Sequence, residues 1–383
     1  MLVIGLMSGT SADGVDAALV EWPDGPATQP FRLLAFEETP LEPALQARIH
    51  DLAAGRLPAA RVLAELAGLD VELGERFAAA ACAVAARAGV PLGRVALVAS
   101  HGQTVAHHPE LRATLQIGDP SVVAERTGCP VVADFRPRDL AAGGEGAPLA
   151  PFFHLAAFAS PRESRVVLNL GGIANVTWLP AGGAPEDVIA FDVGPANALL
   201  DAVAKLASGG RERFDRDGAR AARGRVEERL LEELLDDDFL RRPPPKSTGR
   251  ERYGLAEAEA LFARAQRTGL SADDLLATLV ACSAEAVARA CGDFLPGRAE
   301  RLIAGGGGAR NPAVLAALRA RLPGVALDPM DAHGVPAGAA EAMAFALMGR
   351  NARLGLPNHL PRCTGAAAPR VLGELVPGAS GRV

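Results

Sequence analysis

Asp192 is the carboxylate in this chain best placed to do chemistry. It follows the apolar run Val188-Ile-Ala-Phe191, and Val193-Gly194-Pro195-Ala196-Asn197 leads from it into the helical pattern Ala198–Val203. A carboxylate at the C-terminal end of a strand, beside a turn and a helix start, suits a general base next to a phosphate. The plainer reading is that it caps that helix. A second constellation opens the chain. Leu2–Met7 is a short apolar run that breaks into Ser8-Gly9-Thr10-Ser11, then Ala12-Asp13-Gly14-Val15-Asp16 leads into apolar Ala17, Leu19 and Trp22. Asp-Gly between apolar runs is a hairpin signal, and Gly9 lets an anion approach the main chain closely. The same plan recurs as Val166–Leu170, Gly171-Gly172, Ile173–Leu179, carrying Asn175. Late in the chain Arg301–Ala304 runs into Gly305-Gly306-Gly307-Gly308-Ala-Arg310-Asn311-Pro312. Bare backbone between a strand and a helix gives a ring or a phosphate a surface to lie on.

Polar residues gather at three further places. Ser100-His101-Gly102-Gln103-Thr104 ends the strand pattern Arg94–Ser100, where ligands bind in open α/β sheets. The strand Val131–Phe135 is followed by a loop holding Arg136, Arg138, Asp139, Gly143, Gly144, Glu145 and Gly146, which reads as a polar substrate pocket. Pro243-Pro-Pro-Lys246-Ser247-Thr248-Gly249-Arg250-Glu251 is a rigid polar loop that holds one of the two lysines. Several motifs are missing: the phosphate-loop pattern G-x-x-x-x-G-K-[ST], the dinucleotide fingerprint G-x-G-x-x-G, zinc spacing among His101, His107 and His108, and the G-x-S-x-G elbow.

The elements that must position these residues alternate strands and helices. Helical spacing runs through 41–89, 255–267 and 271–294, which predicts an α/β fold. At 383 residues two domains are expected; the division falls at 1–140 and 141–383, with the C-terminal tail free to pack on the first. That tail, from Leu356, is rich in Pro and Gly and reads as weakly ordered. A net charge of −6 argues against a nucleic-acid partner. No apolar run is read as long enough to cross a membrane. Five cysteines without a C-x-x-C pair fit free thiols in a reducing, cytoplasmic setting.

Two phosphate hairpins and a glycine platform are what an ATP held between duplicated α/β domains needs, and the plan resembles the sugar kinase, Hsp70 and actin superfamily. Within it, Gly5–Asp16, Ser100–Thr104, Leu115–Asp119, Ala133–Arg136, Gly143–Leu149, Asn169–Asn175, Phe191-Asp192, Pro244–Glu251 and Gly306–Pro312 resemble the anhydro-N-acetylmuramic acid kinase family, from residue 3 to about residue 348. The resemblance implies a two-domain actin-like ATPase fold with an ATP cleft. It implies conversion of 1,6-anhydro-N-acetylmuramic acid, ATP and water to N-acetylmuramic acid 6-phosphate and ADP, in cell-wall sugar recycling. It further implies Asp192 as general base and Glu341 as a second catalytic carboxylate. Gly9, Thr10, Ser11, Ala12, Asp13, Gly14, Val15 and Asp16 would bind ATP, with Gly171, Gly172, Gly194, Lys246, Gly305, Gly306, Gly307 and Asn311. Mg²⁺ would lie at Asp13 and Asp16, and the sugar at His101, Gln103, Arg136, Asp139 and Asn175. A homodimer is the implied assembly. The family's usual Thr-Gly-Pro-Gly-Asn after the base is here Val193-Gly-Pro-Ala196-Asn, which removes a hydroxyl expected on the phosphate side. Two alternatives remain. One is a kinase of this fold for another sugar or an acyl acid, separable by a substrate panel. The other is a non-catalytic, nucleotide-gated binding protein, separable by ATP turnover.

Overall fold

The computed structural model describes residues 1–249 and 251–379, so Arg250 of the Lys246 loop lies outside the described residues. Among the described residues twelve strands are formed: β1 (Leu2–Ser8), β2 (Gly14–Glu21), β3 (Arg32–Pro40), β4 (Leu97–His108), β5 (Ala113–Ile117), β6 (Val131–Ala133), β7 (Arg165–Leu170), β8 (Ile173–Leu179), β9 (Ile189–Pro195), β10 (Arg301–Gly305), β11 (Ala326–Pro329) and β12 (Glu374–Val376). They make two sheets. One runs β12-β6-β4-β1-β2-β3, with β5 paired to β4; the other runs β11-β10-β7-β8-β9. Each sheet opens with an antiparallel meander of three strands, and its first strand then pairs in parallel with the fourth. A further parallel strand, β6 or β11, lies beyond the fourth. Setting aside β5 and β12, both sheets therefore have the order 3-2-1-4-5. This is the duplicated, actin-like α/β fold expected from the sequence.

The chain divides by contacts into two compact units: Met1–Ala157 together with the chain from Gly334 onward, and Phe158–His333. The sequence division at 140 falls seventeen residues before this one, and it assigned helix Ala340–Arg353 to the other half. The reason lies in β1. Its core positions are buried, as in a strand covered on both faces. Helix Ala59–Arg87 lays Leu69, Leu73, Phe77 and Val84 into the core shared with Ile4 and Leu6. Helix Ala340–Arg353 also packs on β1, at Gly5, where a Cβ would sit 1.8 Å from the Ala342 carbonyl oxygen. Only glycine admits a helix at that distance.

The tail is also ordered where weak order was expected. β12 pairs antiparallel with β6, and Asn358, His359, Leu360 and Leu372 are buried. Asn358 holds this segment through three hydrogen bonds, to the backbone of Met348 and twice to Leu372. The second unit is built around helix Ala272–Asp293. By length and composition alone this helix could cross a membrane, but 78% of its most apolar 18-residue window is buried, and Leu275, Leu276, Leu279 and Val287 join the strands' core.

Candidate functional site

In the first unit, β1 and β2 pair from Leu2↔Glu21 to Met7↔Asp16, leaving the turn at Gly9–Asp13. Ala12 closes it with φ +49 and a 3.0 Å bond from its N–H to the Gly9 carbonyl. The turn is held from outside. Gln103 Nε2 donates to the Gly9 carbonyl at 3.1 Å, and its Oε1 lies 2.7 Å from Ser8 Oγ. Gln46 donates to the Ser11 carbonyl at 2.7 Å, with His50 Nε2 at 3.0 Å from the same oxygen. Gln103 is buried and committed to this turn. The sequence read its neighbourhood as the polar end of a strand; β4 instead continues to His108, with Gly102 at φ +74 where the register against β1 shifts.

A charged cluster lies beside this turn. Asp16 faces Glu38 across β2 and β3. Burial, with Glu38, Glu341 and Asp13 adding repulsion, pushes its pKa up to about 7. Glu341, in the first turn of helix Ala340–Arg353, is raised by burial against the pull of Arg136, although solvent still reaches it. Among the described residues no three His, Cys, Asp or Glu side chains converge as a metal cage. This donor set fits Mg²⁺ bound mainly by nucleotide phosphates and water, with one or two protein carboxylates.

Arg136 and Asp139 were expected on a loop. They lie on helix Phe135–Ala141, which begins at once after Asp134 turns the chain at φ +55. Arg136 donates from Nε and Nη2 to His101 Nε2 at 3.0 and 2.9 Å, and from Nη1 to the Gly146 carbonyl at 2.7 Å. His101 Nε2 is thus an acceptor, so its proton sits on Nδ1, which lies 2.9 Å from the Gly102 carbonyl. Burial and the Arg136 charge hold this imidazole neutral. Burial also lowers Arg136 to about 10, against Glu341 and Asp139. Asp139 is 0% exposed. Its carboxylate takes the Gly146 N–H and the Thr364 hydroxyl, each at 2.7 Å, and lies 2.7 Å from His359 Nδ1. It ties the glycine loop to the C-terminal segment, which also bonds through Glu145 N–H to the Thr364 carbonyl.

In the second unit, the turn Gly171–Gly172 is stapled to the next helix. The N–H groups of Ala196 and Ala198 donate to Gly172, and that of Asn197 to Gly171. Asn197 Nδ2 adds a 2.8 Å bond to the Leu170 carbonyl. Asp192 does not cap this helix, whose N-cap is Ala196. The Gly194-Pro195 expected as a turn belongs to β9 itself. Asp192 Oδ2 instead accepts from Ser247 Oγ at 3.0 Å and Thr248 N–H at 2.9 Å. Oδ1 takes no hydrogen bond from the described residues. Burial raises the Asp192 pKa, those two bonds oppose the rise, Glu251 adds to it and Lys246 subtracts. Asn175 is the direct partner of Asp192 across β8 and β9, and Asn169 is the direct partner of Asn175 across β7 and β8. Cross-strand partners share a face, so Asn169, Asn175 and Asp192 form one polar row. Asn169 was not among the site residues taken from the sequence, although its place one residue before the end of β7 mirrors that of Met7 in β1. Glu38, opposite Asp16, was missed in the same way.

Two expectations change here. Lys246 is 7% exposed, and its ammonium lies 3.1 Å from the carbonyls of both Phe239 and Leu240, with the rings of Phe239 and Phe294 at 4.9 and 4.7 Å. Its polar end is committed to protein rather than offered to a phosphate. Val193, 1% exposed, belongs to the hydrophobic core, so a hydroxyl there would point inward, away from any phosphate. Of the glycine run, Gly305 ends β10. Gly306, at φ +77, and Gly308 abut Leu170, Asn169 and Asn197, where a Cβ would fall within 2.9 Å of its neighbours. The run thus packs directly on the Gly171–Gly172 turn. Gly307 is the exposed member, and Asn311 caps helix Pro312–Arg321 through Ala313 N–H at 3.0 Å.

The family model described as anhydro-N-acetylmuramic acid kinase matches residues 1–378. Relatives of that name include those of Caldanaerobacter subterraneus subsp. tengcongensis (41% identical), Salinibacter ruber (44%) and Xanthomonas campestris pv. campestris (45%). Each alignment covers 98% of this chain and 96–97% of the relative. A ROK family glucokinase from Streptomyces griseus, solved with glucose and AMPPNP, matches 92% of this chain and 100% of its own at a TM-score of 0.43 and 15% identity. A likeness that loose carries no weight for function.

Proposed function

The chain belongs to the anhydro-N-acetylmuramic acid kinase family, and on that premise we propose that Asp192 is the base of its reaction. The enzyme uses ATP and water to turn 1,6-anhydro-N-acetylmuramic acid into N-acetylmuramic acid 6-phosphate and ADP. Asp192 takes a proton from a water whose oxygen bonds to C1. The C1–O6 bond breaks, and O6 takes the γ-phosphoryl group. One observation supports this above the others: a carboxylate raised in pKa, with one oxygen held by two donors and the other taking none from the described residues. A base tuned upward accepts a proton near neutral pH better than an ordinary carboxylate.

Around it, Asn175 and Asn169 orient water or sugar. The turn Gly9–Asp16 cradles phosphates, and Gly171, Gly172, Gly194 and Gly305–Gly307 provide the close backbone surface on the nucleotide side. Asp13 and Asp16 would hold Mg²⁺, which offsets charge on the transferring group. Arg136 and Glu341 meet the sugar, while His101, Gln103 and Asp139 keep the Arg136 guanidinium, the turn and the loop in place. Five cysteines, none of them in a disulfide among the described residues, support a cytoplasmic setting. A homodimer belongs to the same reading and is checked by light scattering.

The reaction in oxygen-18 water tests the assignment. Label is expected in the C1 hydroxyl and not in the phosphate. Label in inorganic phosphate, or an Asp192→Asn variant with near wild-type turnover, would sink it.

A further inference from the structure

We propose that Lys246 is a positioning residue for the base, acting through the three-residue strap Lys246-Ser247-Thr248. This rests on Asp192 being that base. The strap meets Asp192 at three points. The Lys246 carbonyl accepts the Asp192 N–H at 3.1 Å, and Ser247 Oγ and Thr248 N–H both bond Oδ2. A strap that follows Pro243-Pro-Pro245 has no sheet or helix of its own to hold it. Its anchor is the Lys246 side chain. The ammonium binds the carbonyls of Phe239 and Leu240, and sits within 6 Å of the rings of Phe191, Phe239 and Phe294. Phe239 and Leu240 are fixed in turn, because helix Asp238–Arg241 is capped by Asp237, which also takes the Tyr253 hydroxyl at 2.8 Å. Phe191, under the ammonium, is the residue before Asp192. One cation therefore pins both the strand that carries the base and the strap that aims it.

The carboxylates that act on Lys246 are Asp237 and Asp192, and among the described residues neither forms an ion pair with it. A cation buried without a salt bridge costs stability. Its presence is explained by what it holds in register.

The test compares Lys246→Met, Ser247→Ala and Asp192→Asn in the full-length enzyme. Met fills the aromatic cage without a charge, so the fold is kept, and melting temperature verifies this. In Lys246→Met, kcat is expected to fall roughly 10- to 100-fold, as for a misplaced catalytic group, while KM for ATP and for the sugar stays within about threefold. In Ser247→Ala the acid limb of kcat/KM moves to higher pH, because the charged carboxylate loses a donor. A raised KM for ATP at unchanged kcat would make Lys246 a nucleotide ligand and overturn the proposal. Wild-type kcat in Lys246→Met, or an unmoved acid limb in Ser247→Ala, would overturn it too. In each of these cases an inactive Asp192→Asn leaves the base assignment standing. An active Asp192→Asn removes both.

Discussion

The two sheets share a strand order, and equivalent positions in them carry different groups. Across strands one, two and three, the first unit reads Met7, Asp16 and Glu38, and the second reads Asn169, Asn175 and Asp192. In the first row two carboxylates face each other, and burial, with Glu38, Glu341 and Asp13 adding repulsion, raises Asp16 to about 7. That is repulsion waiting for a cation. In the second row a single carboxylate stands beside amides and is held by a hydroxyl and a backbone N–H. That is a group held in one orientation. The turns differ to match. The first is buttressed by side chains reaching in from β4 and helix Pro43–Ala53, whereas the carbonyls of the second are stapled to a helix start. On the function proposed above, a duplicated framework carries one end for phosphate charge and one for proton transfer.

Substituting the two equivalent acids is the sharpest way to break this contrast. Asp192→Asn is expected to cost roughly 10²–10⁴-fold in kcat, the range for a general base, and the wild-type acid limb should lie above the ordinary carboxylate range, because the folded-state pKa is raised and activity falls as the pH drops through it. Glu38→Gln should leave kcat within about tenfold, since no reacting proton is assigned to it. Equal losses at both positions would mean that the two rows do the same work. A smaller effect is expected at the first turn. Gln103→Leu removes the two side-chain bonds that brace the turn, leaving Ser8 only the Gly14 carbonyl and the Gly9 carbonyl only the Ala12 N–H, a loss of about 0.5–1.5 kcal/mol per bond. Steady-state kinetics should show KM for ATP rising by about tenfold, with kcat less affected. An unchanged KM would detach the turn from the phosphates. The smallest change is at Val193. Val193→Thr buries a hydroxyl in the core and should lower stability by about 1–3 kcal/mol in denaturant melts, with ATP kinetics unchanged. Tighter ATP binding would instead bring that residue to the phosphate.

What was legible in the sequence was local. Strand, small-residue turn and returning strand lie within about twenty residues of one another in each half, so both hairpins, Asp192 and the glycine run stood out. What was not legible depends on partners far along the chain. Gln103 and Asp139 look like ligand groups until Ser8, Thr364 and His359 are seen to use them. Lys246 reads as a phosphate lysine until the rings of Phe239 and Phe294 enclose it. Val193 follows the alternation of β9 into the core, whereas the sequence had placed it in a turn. The tail was misread because Pro and Gly weaken local pattern, and β6 supplies the order that pattern lacked.

The contact between Gly5 and helix Ala340–Arg353 has a consequence for how the chain is made. The second unit is one continuous stretch, Phe158–His333, so all of its partners leave the ribosome together. The first unit must wait, because β1 gains the helix that covers its Gly5 face only after residue 353 has been synthesised. Until then one apolar face of β1 lacks its cover, and exposed apolar surface makes an incomplete chain prone to wrong association. The inserted unit is complete once His333 has been made, whereas the Gly5 face of β1 waits for helix Ala340–Arg353.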